Sequence, residues 1–401
     1  MIRRIVPLAV LVALAAFALA GTATAAPIRV GILKGTGPGR YWHTNIHTAS
    51  GAIASILANP SAAGFQSPVM PTQGVTVRVF GPDSGQCTGN NCGPTATQLG
   101  AFIAALDSLD VVVVSNFVGI GGTIVDTAHR SRFARFIRTK GLVSTHWSID
   151  SYGSLPVWDT LHGARFQNKV SGDRYGTLHH DSAAMGDPAW RFLNRGLPDT
   201  ARFVEEWVSF TTNSNTIRSI PGLKVTTNLS EASLSGGLGG MREMGPDHVY
   251  SWFREFQEGG RLFYTGLGHR AELFTGAPSI DSAGDTTRLP NHYLRRQLYN
   301  AILWAAGSDS NGVVSLREGS SINISNFSNA ARLVNHGGVL AVSILQNGSH
   351  VLEIRALNGA LVALRRGNGR ADHRIESLRP GVYTVSVTAG GHTLARLITL
   401  P

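Results

Sequence analysis

The chain of 401 residues is 43% hydrophobic and only 15% charged, with 47 glycines, which excludes a disordered chain and leaves room for two or three turn-rich globular segments. Its formal net charge is +10. The densest basic cluster, Arg130, Arg132, Arg135, Arg138 and Lys140, alternates with Phe133, Phe136 and Ile137 at helical spacing and reads as one solvated helix face, so no nucleic-acid partner is expected.

Residues 1–25 read as a secretory signal: Arg3-Arg4, an apolar run from Ile5 to Ala20, then Ala23-Thr24-Ala25 as a small-residue cleavage site. The expectation is an exported protein, extracellular or on the cell surface, with the periplasm as the alternative. No stable membrane span is expected once the signal is removed, because the run is shorter than the ~20 residues a spanning helix needs.

The segment 26–309 is expected to alternate strands and helices. Ile28–Leu33 is a short apolar strand running into the glycine loop Lys34–Gly39, and helical spacing follows from Asn45 to Ala58. That loop matches neither dinucleotide nor P-loop spacing, so a phosphate ligand is not indicated. It carries Tyr41, Trp42, His43 and His47 instead, a set suited to a polar ligand with sugar-like faces. Val75–Phe80 alternates like a strand, and Cys87 and Cys92 then lie in a Gly/Asn-rich loop where a local disulfide is the natural reading for an exported chain.

Thr97–Leu106 has helical spacing, and Leu109–Val114 reads as a fully buried strand ending at the polar pair Ser115-Asn116. Asp126 is placed to cap the basic helix and Gly141 to stop it, after which Leu142–Thr145 delivers His146 into the turn His146-Trp147-Ser148-Ile149-Asp150. Residues 151–199 look loop-rich. Their His179-His180-Asp181 run reads as a surface loop rather than a metal site, since adjacent side chains on an extended segment point apart.

Arg202–Phe210 and Leu223–Thr227 look like strands, and Val249–Phe256 with Arg261–Thr265 forms a hairpin around Gly259-Gly260 that ends at Gly266-Leu267-Gly268-His269. Residues 292–306 read as an amphipathic helix stopped by Gly307. Beyond the linker Ser308–Gly312 the texture changes to short β runs with an Asn358-Gly359 turn signal, so residues 313–401 are expected to form a small all-β sandwich.

Several stretches together carry a resemblance: Ile28–Ala49, Leu109–Asp150, Gly163-Ala164-Arg165-Phe166, Glu206–Phe210, Met244–His248, Arg254–His269 and Ala301–Gly307. In that order they resemble the ThuA-like (trehalose utilisation) family. The resemblance implies a flavodoxin-like, doubly wound, mostly parallel α/β sheet related to class I glutamine amidotransferases, and a link to carbohydrate metabolism.

It also implies where the chemistry sits. His146 stands where amidotransferases place a nucleophilic cysteine, so thiol-based amide transfer is excluded. His269 falls at the amidotransferase histidine with Glu272 just beyond, His43 resembles the family's loop histidine, and Glu206 the acidic residue of its D-E-x-Y-like motif. The chain departs from the family pattern at Glu205 and Val208, where Asp and Tyr are usual, and at Gln167-Asn168-Lys169, where His-Pro is common. The last ~85 residues resemble the carboxyl-terminal sorting domains of type IX secretion, which implies a secretion-machinery partner, with a generic adhesive or sugar-binding sandwich as the alternative.

The catalytic candidates are therefore His43, His146, His269, Glu206 and Glu272, and the substrate-binding candidates Tyr41, Trp42, Asn116, Trp147, Asp150 and Arg165. Imidazoles titrate near neutrality and suit proton transfer to and from sugar hydroxyl or carbonyl groups in a hydrolase, lyase or isomerase. His43, His146 and His269 also form a possible ligand set for a divalent metal such as zinc, with no cofactor firmly indicated. The competing expectation is a non-catalytic carbohydrate-binding protein that stacks sugars on Tyr41, Trp42, Trp147 and Trp158.

Overall fold

The structure is a computed structural model. It describes residues 27–38, 40, 43, 45–61, 74–87, 92–150, 155–277, 279–280, 286–287, 292–308, 314–315, 331–336, 339–344, 347–356, 360–375, 378, 381–389 and 392–400. The expected signal at 1–25, the candidates Tyr41 and Trp42, and the Asn358-Gly359 turn lie outside the described residues.

The first half runs β1 (Ile28–Leu33), α1 (Ile46–Ala58), β2 (Val75–Phe80), α2 (Ala96–Ala105), β3 (Val111–Ser115), α3 (Ile120–Thr123), α4 (Thr127–Thr139) and β4 (Gly141–Thr145). A 3-10 turn at His146–Ile149 leads to α5 (Pro156–His162), β5 (Phe166–Lys169), β6 (Arg174–His180), α6 (Pro188–Leu193), β7 (Thr200–Glu205) and β8 (Val208–Phe210). Then come α7 (Ser214–Arg218), β9 (Leu223–Ser230), β10 (His248–Glu255), β11 (Arg261–Thr265), α8 (Ala271–Thr275) and α9 (Tyr293–Ala305).

Nine of these strands form one mixed sheet in the order β2-β1-β3-β4-β11-β10-β9-β6-β7. The run β2-β1-β3-β4-β11 is parallel, and the β10-β9-β6-β7 extension is antiparallel. β3 and β4 are buried along their whole length, as strands covered on both faces must be. Helices α1 and α9 pack together and against the parallel half, as do α2 and α4. The chain therefore reverses its winding between β1 and β3, and a flavodoxin-like sheet places its ligand crevice beyond the carboxyl ends of the strands at such a point.

Asp126 caps α4 as expected, accepting the His129 N–H at 2.8 Å. Gly141, expected to stop that helix, instead opens β4, and Lys140 closes the helix by donating its N–H to the Phe136 carbonyl. Glycine is required at 141 for a different reason: a Cβ there would lie 2.7 Å from the Ala305 carbonyl oxygen and 2.8 Å from Val111. The basic face of α4 is partly spent on surface pairs, Arg132 with Asp107 and Arg138 with Glu258.

Three further expectations are corrected. The loop-rich stretch contains α5, α6 and β6, and β6 enters the central sheet between β9 and β7. The run 202–210 is not one strand: it breaks at Glu206-Trp207, leaving β7 in the main sheet while β8 pairs with β5. The helix expected to be amphipathic is buried on nearly every side, because α9 is sandwiched between the sheet and α1, α6 and α8.

His179 and His180 end β6 and point apart, His179 to the Thr200 hydroxyl at 3.1 Å and His180 toward Asp199 at 3.3 Å. Asp181 is held by Arg218 and Asn228. That run is therefore a pinned strand end rather than a surface loop, and the three groups do not share a ligand point.

In the carboxyl-terminal region the strands 314–315, 392–400, 381–389, 349–356 and 361–368 form one sheet in that order, and 331–336, 339–344 and 371–375 a second. Leu340, Val342 and Ile344 from one and Leu352, Ile354, Val385 and Val387 from the other share a core, as in a small sandwich.

His162 shows how a histidine in this fold serves the core alone. Its Nε2 lies 2.8 Å from the Ser144 hydroxyl and its Nδ1 3.1 Å from the Trp158 carbonyl, and burial holds the imidazole down at about 4. The unfolded imidazole binds its proton below about 6.5, so between that value and about 4 the unfolded state binds more protons and stability rises with pH. Denaturant unfolding at pH 7 and pH 5 is expected to show wild type losing stability on acidification, with a smaller loss in His162→Gln. Equal losses would remove His162 as the cause.

Candidate functional site

Five segments carry the candidate side chains to one place at the strand ends. The loop after β1 is stitched down by Thr36 N–H on the Cys92 carbonyl (3.0 Å) and Gly37 N–H on the Val118 carbonyl (2.7 Å). Only glycine fits at 37, since a Cβ would sit 2.3 Å from the Gly119 oxygen. Beyond it His43 is buried, and Asn45 donates to the carbonyls of Gly268 (2.8 Å) and His269 (2.6 Å).

β4 delivers His146 with φ +49°, a left-handed conformation that costs a non-glycine residue about 1–3 kcal/mol and is kept where surrounding contacts enforce it. Those contacts are visible. The Tyr264 hydroxyl donates to the His146 carbonyl at 3.0 Å, and His146 Nδ1 lies 3.0 Å from the Gly266 carbonyl. A carbonyl only accepts, so Nδ1 carries a proton and Nε2 is turned to the site.

There the ligand nitrogens of His43, His146 and His269 all lie within 4.8 Å of one another. Their rings meet at centroid distances of 5.0, 5.0 and 5.4 Å. Glu206, delivered by the break after β7, places Oε2 at 3.4 Å from both His146 Nε2 and His269 Nδ1, and Lys169 caps its other oxygen. Asp173 stands at the mouth, 3.5 Å from His269 Nε2 and 2.5 Å from Arg270. Four buried atoms in this cluster, His43 Nε2, His146 Nε2, His269 Nδ1 and Glu206 Oε2, have no well-formed hydrogen bond among the described residues. Buried polar atoms are normally satisfied, so four orphans facing one point mark a place for a ligand.

The electrostatics set the resting charges. Burial, with the charge of His146 and then His269, pushes the His43 imidazole well below its usual value. Burial and His146 hold His269 at about 4 against the pull of Glu206. Burial alone would raise Glu206, but the close approach and charge of His146, then His269 and Lys169, hold it down at about 2. Glu205 behaves oppositely: burial and the charge of Asp173 push its carboxyl well up, although it accepts the N–H groups of Glu206, Gly268 and His269. At neutral pH Glu206 is thus the anion of the site, with His43 and His269 neutral around it.

Of the sequence candidates, His43, His146, His269 and Glu206 converge and Trp147 flanks them, its ring 5.3 Å from His43. Glu272 does not join them: it pairs with Arg270 at 3.1 Å. Asn116 braces the site: its amide donates to the Gly268 carbonyl (2.5 Å) and Asn45 (3.0 Å) and accepts from Thr145 (2.9 Å), which leaves one oxygen lone pair unused. Asp150 is buried and closes the 3-10 turn through its N–H, and Arg165 is exposed with its carbonyl bound to Thr211. Trp158 is a core residue whose indole N–H holds the Ser148 carbonyl. Cys87 and Cys92 form the expected disulfide.

The family profile described as ThuA, trehalose utilisation, matches residues 29–280, well over half of the chain. The protein belongs to the ThuA family. Among solved structures it is similar to a ThuA-like protein from Bacteroides uniformis, at 15% identity over 73% of this chain and 97% of that one, with a TM-score of 0.46. It is also similar to a GMP synthase component from Thermoplasma acidophilum (10% identity, 70% and 96% covered, TM-score 0.34). A third is the glutaminase domain of Trypanosoma brucei CTPS (11% identity, 70% and 93% covered, TM-score 0.34). No curated protein matches the chain.

Three members of this ThuA site were not singled out from sequence. Lys169 and Asp173 sit in a stretch read as loop, and Glu205 registered only as a departure from a motif. Glu205 joins because the strand break at Glu206-Trp207 turns two consecutive carboxyls inward where an unbroken strand would send them to opposite faces, and no sequence pattern marks Lys169 or Asp173.

Proposed function

We propose that this ThuA-family protein processes a carbohydrate, a disaccharide or an oxidised sugar, by proton transfer among His43, His146, His269 and Glu206. The observation that carries the reading is the set of partnerless imidazole nitrogens facing Glu206 Oε2. His146 is held by its Nδ1–H on Gly266, so its Nε2 is the nitrogen that exchanges a proton with a substrate hydroxyl or carbonyl. His269, neutral at pH 7, has Nδ1 inside and Nε2 facing Asp173 at the mouth, which suits passing that proton to solvent. Glu206 steadies positive charge that develops on either ring.

A metal-assisted version is favoured by the same orphaned nitrogens. His43, His146 and His269 would be the metal's ligands, and zinc in such a set supplies a Lewis acid and an acidified water. The donor set fits.

The non-catalytic sugar-binding reading is weakened by the aromatics. Of its four stacking residues, Tyr41 and Trp42 lie outside the described residues, Trp158 is inside the core, and Trp147 packs on Phe166 with the Lys169 ammonium 5.3 Å from its ring. Export through residues 1–25, division at about residue 309, and sorting by 313–401 through a secretion machinery belong to the same proposal. No helix among the described residues is long and apolar enough to cross a membrane.

The test is product analysis of the purified full chain with disaccharides and oxidised sugars, together with elemental analysis of protein prepared without chelator. Turnover is expected, and stoichiometric zinc that disappears in His43→Ala and His269→Ala decides for the metal version. Binding of sugars with no turnover on any of them overturns the enzyme reading.

A further inference from the structure

The Cys87–Cys92 disulfide sits in surroundings that a mere staple does not need. Cys92 is 1% exposed, and its carbonyl is engaged by Thr36. Cys87 is half-buried, and its Sγ lies 3.2 Å from Nε2 of His47 on α1. The other nitrogen of that ring, Nδ1, lies 3.2 Å from the Lys34 ammonium. An ammonium can only donate, so Nδ1 accepts and the ring proton resides on Nε2, aimed at sulfur. Burial and the Lys34 charge lower the His47 imidazole, which keeps the ring in that neutral form at pH 7. The acid facing Lys34 and His47 is Asp83, which is exposed and therefore well screened.

We propose that Cys87–Cys92 is a second reactive site, a redox-active disulfide that takes two electrons from a dithiol, with Cys87 as the reactive sulfur and His47 and Lys34 holding its thiolate. A thiolate of the reductant bonds to Sγ of Cys87, the less buried of the two cysteines. The S–S bond breaks, and its electron pair leaves on Cys92 Sγ, which takes up a proton. The second thiol of the reductant, losing its proton to solvent, attacks its own partner sulfur in the mixed disulfide and releases Cys87 as a thiolate. The dithiol ends as a disulfide, and the protein gains two electrons and one proton. A donor N–H and a nearby ammonium stabilise the released thiolate, and a stabilised reduced form makes the disulfide a stronger oxidant.

The test uses the full chain in two measurements: the pH dependence of Cys87 alkylation by iodoacetamide after reduction, and the thiol content at equilibrium in glutathione redox buffers. Cys87 is expected to alkylate with an inflection at least about one unit below the ~8.5 of a free thiol. His47→Ala and Lys34→Met are each expected to raise that inflection and to favour the disulfide about tenfold more in glutathione. Cys92→Ser should accumulate a glutathione adduct on Cys87, whereas Cys87→Ser leaves Cys92 unmodified. Lys34→Met keeps the test decisive if His47→Ala folds poorly. An ordinary inflection in the wild type, or constants unchanged in the variants, reduces the pair to a structural staple.

Discussion

Replacing His146 with asparagine is expected to lower turnover about 10²–10⁴-fold, the range lost with a positioned general acid or base. Asparagine is chosen because the position has φ +49°, which it tolerates better than other non-glycine residues, so that the elbow itself survives. The Tyr264 hydroxyl still finds the backbone carbonyl of residue 146, and the fold around β4 and β11 is kept. What is lost is Nε2, the nitrogen 3.4 Å from Glu206. Turnover and a thermal melt on the same sample separate chemistry from folding. Turnover near the wild-type rate with an intact fold would remove His146 from the reaction. In the metal-assisted version the same variant also loses zinc, which elemental analysis reads directly.

Glu206→Gln is expected to be as damaging, and to leave a signature in pH. The substitution preserves shape but removes the anion facing His146, His269 and Lys169, so turnover is expected to fall about 10²–10⁴-fold. In the wild type Glu206 stays ionised down to about 2, so the acid limb of kcat/KM belongs to His269, which loses its proton near 4. Glu206 pulls that value upward, and its removal therefore moves the limb to lower pH. An acid limb unchanged in the variant would show that another group controls it.

The substitution also changes acid stability. Glu206 has a folded-state value of about 2 against about 4.3 unfolded, so its contribution is complete above the unfolded value and is lost as pH falls toward 2. That window of acid loss is expected to disappear in Glu206→Gln.

Much of the fold could be read from local patterns because each element obeyed one. The buried valines of β3, the Asp126 cap and the hairpin from β10 to β11 follow from side-chain period and turn chemistry. β6 escaped because its polar residues, among them Arg174, His179 and His180, mask the alternation, and only pairing with β9 and β7 makes it a strand. Gly141 was assigned the wrong task for a similar reason. Its need for a missing side chain comes from Ala305, far away in the chain.

The candidate site divides along the same line. The sequence alone determined which residue types stand after three of the strands, His43 after β1, His146 after β4 and His269 after β11, whereas Glu206 read as mid-strand until the structure ended β7 before it. Tertiary structure decided which of them meet. It drew the three imidazoles and Glu206 together, sent Glu272 to Arg270, made Asn116 a brace, buried Trp158 and brought in Lys169 and Asp173. The reason is physical: the side-chain period along a strand is local, whereas strand order, and so the neighbours at a sheet's edge, is set by burial and pairing across the whole chain.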